Sequence, residues 1–235
     1  MSLWTSLSGA QLYGYLGQLA AGALVTMELF LLSFALAMLF GMLIAIATLS
    51  GSRITEAIWR VYASIFMGVP SLLVIFLIFY GGSAMLTAVL GDLAPDVSPF
   101  GAGVAALSIV YAAYIAELIR GAVGNLPRGQ FEGARALAIP RFIMWWRVIM
   151  PQVMRLALPG LVNLWMFMLK ETPLVSLAGL HDLVGAAKIA AGATKEPFIF
   201  FIATALFFIL FSGLTLKIAD ALEIRLERGR ARAKA

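Results

Sequence analysis

The sequence predicts an all-α membrane protein with five transmembrane helices, and three observations support this class. Of the 235 residues, 62% are hydrophobic and only 12% are charged, whereas a soluble domain usually carries about 25% charged residues. Long runs without a charged side chain recur along the chain. The sequence has no cysteine and one histidine, which excludes disulfides and metal sites built from thiolates or several histidines.

The charged residues mark the limits of the spans. Four of the five uncharged runs reach the roughly 20 residues that cross about 30 Å of hydrocarbon as a helix, and apolar neighbours at both ends complete the run between Arg155 and Lys170. Residues 1–18 predict a short helix at the outer interface. We expect a single transmembrane domain, 1–235, whose spans lie at about 19–49, 59–81, 99–120, 153–174 and 197–219.

Lysine and arginine predict the orientation of the chain. With five spans the two ends lie on opposite sides of the membrane. All 17 lysines and arginines except Lys170, Lys188 and Lys195 fall on the side that holds the 50–60 loop, the 120–155 loop and the C-terminal tail. The N-terminus is therefore expected outside and the C-terminus in the cytoplasm. We interpret the basic tail as an anchor on anionic lipid rather than a nucleic-acid site.

The cytoplasmic loop 121–151 is the most informative segment. Pro127 and Gly129 interrupt the preceding helix, good helix formers follow from Gln130 to Leu137, and Pro140 ends this short helix. Small side chains are expected on one side of it, at Gly133, Ala134, Ala136 and Ala138.

A second helix, from Arg141 to Ile149, is predicted to be amphipathic and carries Trp145 and Trp146 near the membrane surface. The pattern alone leaves two interpretations of the loop open. It is either a short helix that inserts into a partner's groove or a helical hairpin that packs on the bundle.

The run Glu132-Gly133-Ala134, followed by Ala138 and by Val148-Ile149-Met150-Pro151, resembles the Glu-Ala-Ala ("EAA") motif of ABC importer permeases. The spacing is met in full, although Ala138 stands where the family usually has glycine. If that residue is left-handed, alanine there costs on the order of 1 kcal/mol. The resemblance implies an ATPase-coupling segment made of Gln130, Phe131, Glu132, Gly133, Ala134, Arg135, Ala136, Leu137, Ala138, Ile139 and Pro151.

The resemblance extends over nearly the whole chain. The segments 22–29, 68–81, 111–121 and 158–177 look like those of amino-acid-type permeases, and Gly179-Leu180-His181-Asp182-Leu183 is similar to the histidine, arginine and octopine/nopaline branch. One departure is Met67, which occupies a position that is often arginine.

This resemblance implies a type I ABC importer permease fold and a multi-pass transport subunit of the bacterial inner membrane, not an enzyme. The implied solute is a polar amino acid, either a basic one or an opine. The implied partners are a second permease subunit (a related chain in the histidine-type systems), two copies of an ABC ATPase, a periplasmic solute-binding protein and the lipid bilayer. The sequence has no Gly-x-x-x-x-Gly-Lys-Ser/Thr loop, so ATP and Mg²⁺ are expected on the partner ATPase. No catalytic residue, metal ligand or nucleic-acid partner is expected in this chain.

Polar groups inside a span cost several kcal/mol when ionised, so each needs a role. Glu28 either faces the translocation path, or pairs with a polar group of a neighbouring span, or lies close enough to the outer interface to remain hydrated. Asn163 either bonds another helix or lines a cavity. Lys170 and Glu171 either offer both charge signs to a zwitterion or reach out to the surface. The candidate path residues are Glu28, Asn163, Lys170, Glu171 and Thr172.

Glu117 and Arg120, near the inner end of the third span, are interpreted as interfacial or paired residues. An ion-gradient-driven secondary transporter of amino acids is the main alternative. It predicts inverted repeats with broken helices in both halves, and the sequence shows no such self-similarity. A membrane scaffold that transports nothing is a further alternative, and it predicts that Glu132 can be replaced without affecting uptake.

Overall fold

The protein is described by a computed structural model that covers residues 10–49, 51–91 and 95–232. Within these ranges the chain contains helices and their connections and no strand. Five of the described helices, α1, α3, α4, α6 and α8, are long and apolar enough to cross a membrane, which confirms the predicted class and number of spans. The helices are α1 (Ala10–Leu49), α2 (Arg53–Phe66), α3 (Ser71–Leu90), α4 (Pro99–Gly124), α5 (Arg128–Ala136), α6 (Arg141–Ala178), α7 (Leu183–Thr194) and α8 (Pro197–Arg232).

Helix α4 is the most buried of the spans and packs against α1 and α6. A Cβ atom on Gly103 of α4 would lie 2.6 Å from Cγ1 of Val175, and one on Gly41 of α1 would lie 2.8 Å from Cγ2 of Ile115. Small residues at such contacts let membrane helices approach closely, because lipid gives no hydrophobic driving force between them. The bundle is therefore built around the small-residue faces of α4 and α1.

The second predicted span, 59–81, differs from the structure. Helix α2 ends at Phe66 and the membrane-spanning helix begins only at Ser71. Pro70 lacks an N–H and disfavours a helical residue before it, and a Cβ on Gly68 would lie 2.7 Å from the carbonyl oxygen of Ser64. The chain consequently breaks between α2 and α3.

The ends of two elements also differ from expectation. Helix α3 continues to Leu90, into what the sequence predicted as the outer loop 82–98. Residues 10–18 belong to α1 and form no separate interfacial helix, while residues 1–9 lie outside the described part of the chain. Both differences arise because these segments contain apolar and small residues that continue the neighbouring helix without a proline.

Helix α2 lies along α4, and tyrosine hydroxyls tie the two together. The Tyr62 hydroxyl donates to the carbonyl oxygen of Ile109. The Tyr114 hydroxyl donates to the carbonyl oxygen of Met67 at 3.3 Å, beside the break after α2. The second bond holds the carbonyl group of Met67, which is the residue at the position where the family often has arginine.

An ion-pair cluster joins α2 to the end of α4. The guanidinium of Arg120 donates to both carboxylate oxygens of Glu56, at 3.0 and 3.3 Å, and lies 3.5 Å from Glu117. Arg60 also contacts Glu56, at 3.5 Å, and the hydrogen bond from Arg120 lowers the pKa of Glu56. The guanidinium carbon of Arg120 lies 5.3 Å from the ring centroid of Trp59. Glu117 and Arg120 are paired, as predicted.

Helix α7 is fixed against α1 at its N-terminus. The carboxylate of Asp182 accepts a 2.8 Å hydrogen bond from the backbone N–H of Gly185, and the N–H of Leu183 donates to the hydroxyl of Thr26 at 3.0 Å. A Cβ on Gly22 would lie 2.7 Å from the carbonyl oxygen of Asp182. This contact requires a residue without a side chain on α1.

Candidate functional site in the α4–α6 loop and the polar spans

The short helix α5 ends in a left-handed residue. Ala138 has φ of 52°, its N–H donates to the carbonyl oxygen of Arg135 at 2.9 Å, and the N–H of Ile139 donates to that of Ala134 at 3.0 Å. These two bonds form a Schellman motif, in which the residue after the helix usually is glycine. Ala138 therefore has the left-handed conformation in which alanine costs on the order of 1 kcal/mol relative to the glycine usual in the family.

One face of α5 packs on the base of α6. Ala134 is 5% exposed, the rings of Phe131 and Trp145 meet edge to face with centroids 6.1 Å apart, and the amide nitrogen of Gln152 donates to the side-chain oxygen of Gln130 at 3.0 Å. The prediction that the small residues share one face is therefore wrong, because Ala134 is buried against the bundle whereas Gly133, Ala136 and Ala138 are exposed.

The opposite face of α5 is exposed, as is the turn that follows it. Glu132 forms no hydrogen bond or ion pair with another described residue, and the side chain of Leu137 is 77% exposed. A Cβ on Gly133 would meet nothing within 4 Å. A carboxylate, a guanidinium and apolar groups are all accessible to a partner here. The exposed residues of the segment are Glu132, Gly133, Arg135, Ala136, Leu137 and Ala138, with Ile139 half-buried and Pro151 exposed in α6.

Three of the candidate path residues face away from the bundle. Glu28 on α1 and Asn163 on α6 are exposed and form no hydrogen bond with a described residue. Lys170 is also exposed, with its ammonium 5.7 Å from the ring centroid of Phe167. An amide such as Asn163 is unfavourable when it faces hydrocarbon. These groups require water or another protein surface, which this chain does not supply in its described part.

Glu171 lies inside, beside α4. Its Oε2 atom is buried and has no hydrogen-bond partner within the described residues. The hydroxyl of Tyr111 lies near the same carboxylate. The sequence placed Glu171 among the path residues but treated Tyr111 as a packing residue. A hydroxyl in an apolar span was the signal that could have identified Tyr111.

Thr172 is fully buried and its hydroxyl is already used. Pro173 lacks the N–H that would bond the carbonyl oxygen of Leu169 one turn earlier. The Thr172 hydroxyl donates to this oxygen at 2.8 Å instead. Thr172 therefore closes the end of the α-helical part of α6, and its position does not favour contact with a solute. No group of three or more metal-ligating side chains occurs among residues 10–49, 51–91 and 95–232.

Comparison with known proteins gives consistent matches over the whole fold. Residues 37–228 match the family described as "Binding-protein-dependent transport system inner membrane component". The chain is 40% identical to the histidine/lysine/arginine/ornithine transport system permease protein HisQ of Salmonella typhimurium, over 94% of this chain and 99% of that protein. It is 37% identical to the nopaline transport system permease protein NocQ of Agrobacterium fabrum, over 86% and 88% of the two chains.

A solved structure matches as well. It is the crystal structure of an amino acid ABC transporter with histidines, which superimposes with a TM-score of 0.80 at 29% identity and covers 91% of this chain and 96% of that chain. The sequence matches and the structural match thus extend over the same membrane-spanning bundle and its α4–α6 loop.

Proposed function

Because the chain belongs to the family of binding-protein-dependent transport system inner membrane components, we propose that it forms the translocation path of an ATP-driven importer for a basic amino acid or an opine. Membership makes it a membrane permease subunit of a transport system. The observation that carries the solute class is near-full-length similarity to permeases named for histidine, lysine, arginine, ornithine and nopaline. The 235 residues act as one permease domain in this proposal.

The coupling part of the proposal places an ATPase on the exposed face of α5. Gln130, Phe131 and Ala134 fix the helix to α6, so a force applied to Glu132 and Leu137 is transmitted to a membrane-spanning helix. Two copies of the ATPase would bind ATP and Mg²⁺, and this chain would perform no catalysis. Its lack of a phosphate-binding loop in the sequence supports that division.

The arginine distribution supports an N-terminus outside the cell and α5 in the cytoplasm of a bacterium. In that orientation the end of α6 and helix α7 lie on the outer side, where a periplasmic solute-binding protein would dock. A second, related permease subunit would cover Asn163, and the water-filled path would solvate Lys170, both of which this chain leaves exposed. Such a partner or the water-filled path removes the cost of these polar groups in lipid.

Glu171 is the strongest candidate for contact with a cationic solute. Its carboxylate lies near Tyr111 of α4, and its buried Oε2 atom has no hydrogen-bond partner among the described residues. Lys170 on the adjacent position would serve the solute carboxylate, and Glu28 on α1 would attract cations. We expect Glu171→Gln to reduce uptake of cationic solutes more than that of neutral ones. Equal losses for both would remove Glu171 from the path.

The coupling proposal is tested in proteoliposomes that contain the partner subunits, with ATP hydrolysis and uptake of a labelled basic amino acid measured together. Glu132→Gln and Gly133→Leu should lower uptake per ATP hydrolysed. A leucine at 133 enters open space within this chain, so a clash there reports a partner. Glu196→Gln, the same change between α7 and α8, is the matched control. Normal coupling in both α5 variants would contradict the assignment.

A further inference from the structure

A groove of about 270 Å³ lies where the ends of α1 and α4 meet the first turns of α6. Its walls are almost entirely apolar and it is open to the side, since Ile46 is 55% and Trp146 is 58% exposed. The groove is separate from the exposed face of α5 and from Glu171. Residues that line it include Ile46, Leu49, Val123, Trp145, Trp146 and Met150.

Two arginines lie on the same segment as the tryptophans of this groove. Arg141 stands four residues before Trp145, and Arg147 directly follows Trp146. Both arginines are exposed, and neither forms an ion pair with any residue that the structure describes. Their charge is consequently available to an external anion.

No ion pair joins these arginines to a carboxylate of the described residues, including the exposed Glu132 on α5. The sequence contains no aspartate or glutamate from 133 to 170. The carboxylates of Glu56 and Glu117, at the same end of the bundle, are already bonded to Arg120 and Arg60. The surface beside the groove therefore combines an apolar slot, tryptophans and uncompensated positive charge.

We propose that this surface binds an anionic phospholipid, with an acyl chain in the groove and the headgroup phosphate between Arg141 and Arg147. Guanidinium groups match phosphate geometry with paired hydrogen bonds, and tryptophan rings favour the depth at which headgroups begin. Phe142, which is 73% exposed, extends the apolar surface toward the same lipid. In the proposed orientation the site lies in the cytoplasmic leaflet, where anionic lipids are found.

The test is a lipid titration of the full chain in detergent, with bound lipid counted by native mass spectrometry. Phosphatidylglycerol should bind more tightly than phosphatidylcholine with the same acyl chains. Each arginine near a membrane surface is worth about 1 kcal/mol, or about fivefold, so R141Q/R147Q should weaken phosphatidylglycerol binding roughly 25-fold. Arg128→Gln, an exposed arginine on α5 away from the groove, is the matched control.

A second variant tests the groove independently of charge. Ile46→Trp fills its open side without touching the core and should also weaken phosphatidylglycerol binding, with both arginines intact. Equal affinity for the two lipids, or equal effects of the double variant and Arg128→Gln, would overturn the proposal. It is also wrong if R141Q/R147Q weakens binding of the ATPase subunit and leaves lipid binding unchanged. None of these results bears on uptake, so the proposed transport function is tested separately.

Discussion

Ala138→Gly should stabilise the end of helix α5. The left-handed conformation at Ala138 costs a non-glycine residue roughly 1–2 kcal/mol, and glycine returns about 0.5–1 kcal/mol of this through its larger loss of backbone freedom. The net gain is therefore about 0.5–1 kcal/mol. The methyl group that is lost belongs to an exposed residue, so no packing contribution opposes the gain.

Hydrogen–deuterium exchange of the α5 peptide measures this gain directly. The N–H groups of Ala138 and Ile139 donate the hydrogen bonds of the Schellman motif. If the helix end is stabilised by that amount, the exchange rate of these two N–H groups should fall about two- to fivefold. Ala136→Gly is the control, because residue 136 is helical and glycine there costs about 1 kcal/mol. If Ala138→Gly accelerates exchange as Ala136→Gly does, the Schellman interpretation is refuted.

Three further predictions concern the rest of the bundle, each checked by thermal unfolding in detergent. Gly22→Ala should lower Tm, because the new Cβ meets the Asp182 backbone, whereas Gly17→Ala on the same helix meets nothing within 4 Å and should not lower it. Burial raises the pKa of Asp182 to about 6, so its contribution to stability is greatest below about pH 4 and is lost as pH rises through 6. Asp182→Asn should therefore raise Tm at pH 7.5, where the gain in unfolding free energy is up to about 3 kcal/mol, by about half as much at pH 5, and by little below about pH 4. Equal effects at pH 7.5 and below pH 4 would contradict the burial argument. Because Arg120 lowers the pKa of Glu56, that pair stabilises the fold above about pH 4.5 and loses its effect as pH falls. Glu56→Gln should therefore lower Tm at pH 7, and the variant should lose less Tm than the unmodified protein when the pH is lowered further.

Much of the fold could be predicted because charge is so costly in lipid. The spacing of charged residues located five spans, and proline and glycine located the limits of α5 to within two residues at its start. The break before Ser71 was missed although Gly68 and Pro70 were visible, since the uncharged run continues through it. Apolar composition predicts that a segment lies in the membrane, but it does not predict where the helix bends.

The site was predicted less completely. The order Glu132 to Pro151 predicted the segment that projects between α4 and α6, and the family's glycine position raised the left-handed conformation that Ala138 adopts. Both depend on local sequence. The partners of its side chains were not predictable, because the bond from Gln152 to Gln130 and the burial of Ala134 join α5 to a different helix. Thr172 likewise received its role from Pro173 and Leu169.

The sequence by itself determined membrane residence, the number of spans and the segment that projects between α4 and α6. Only the tertiary structure decided which face of each span points inward, so that Glu171 lies near Tyr111 while Asn163 faces out. The physical reason is the solvent. A helix in water has one apolar face that marks its core side, but in a bilayer the lipid is as apolar as the core, and helix orientation is set by small-residue contacts and hydrogen bonds between helices.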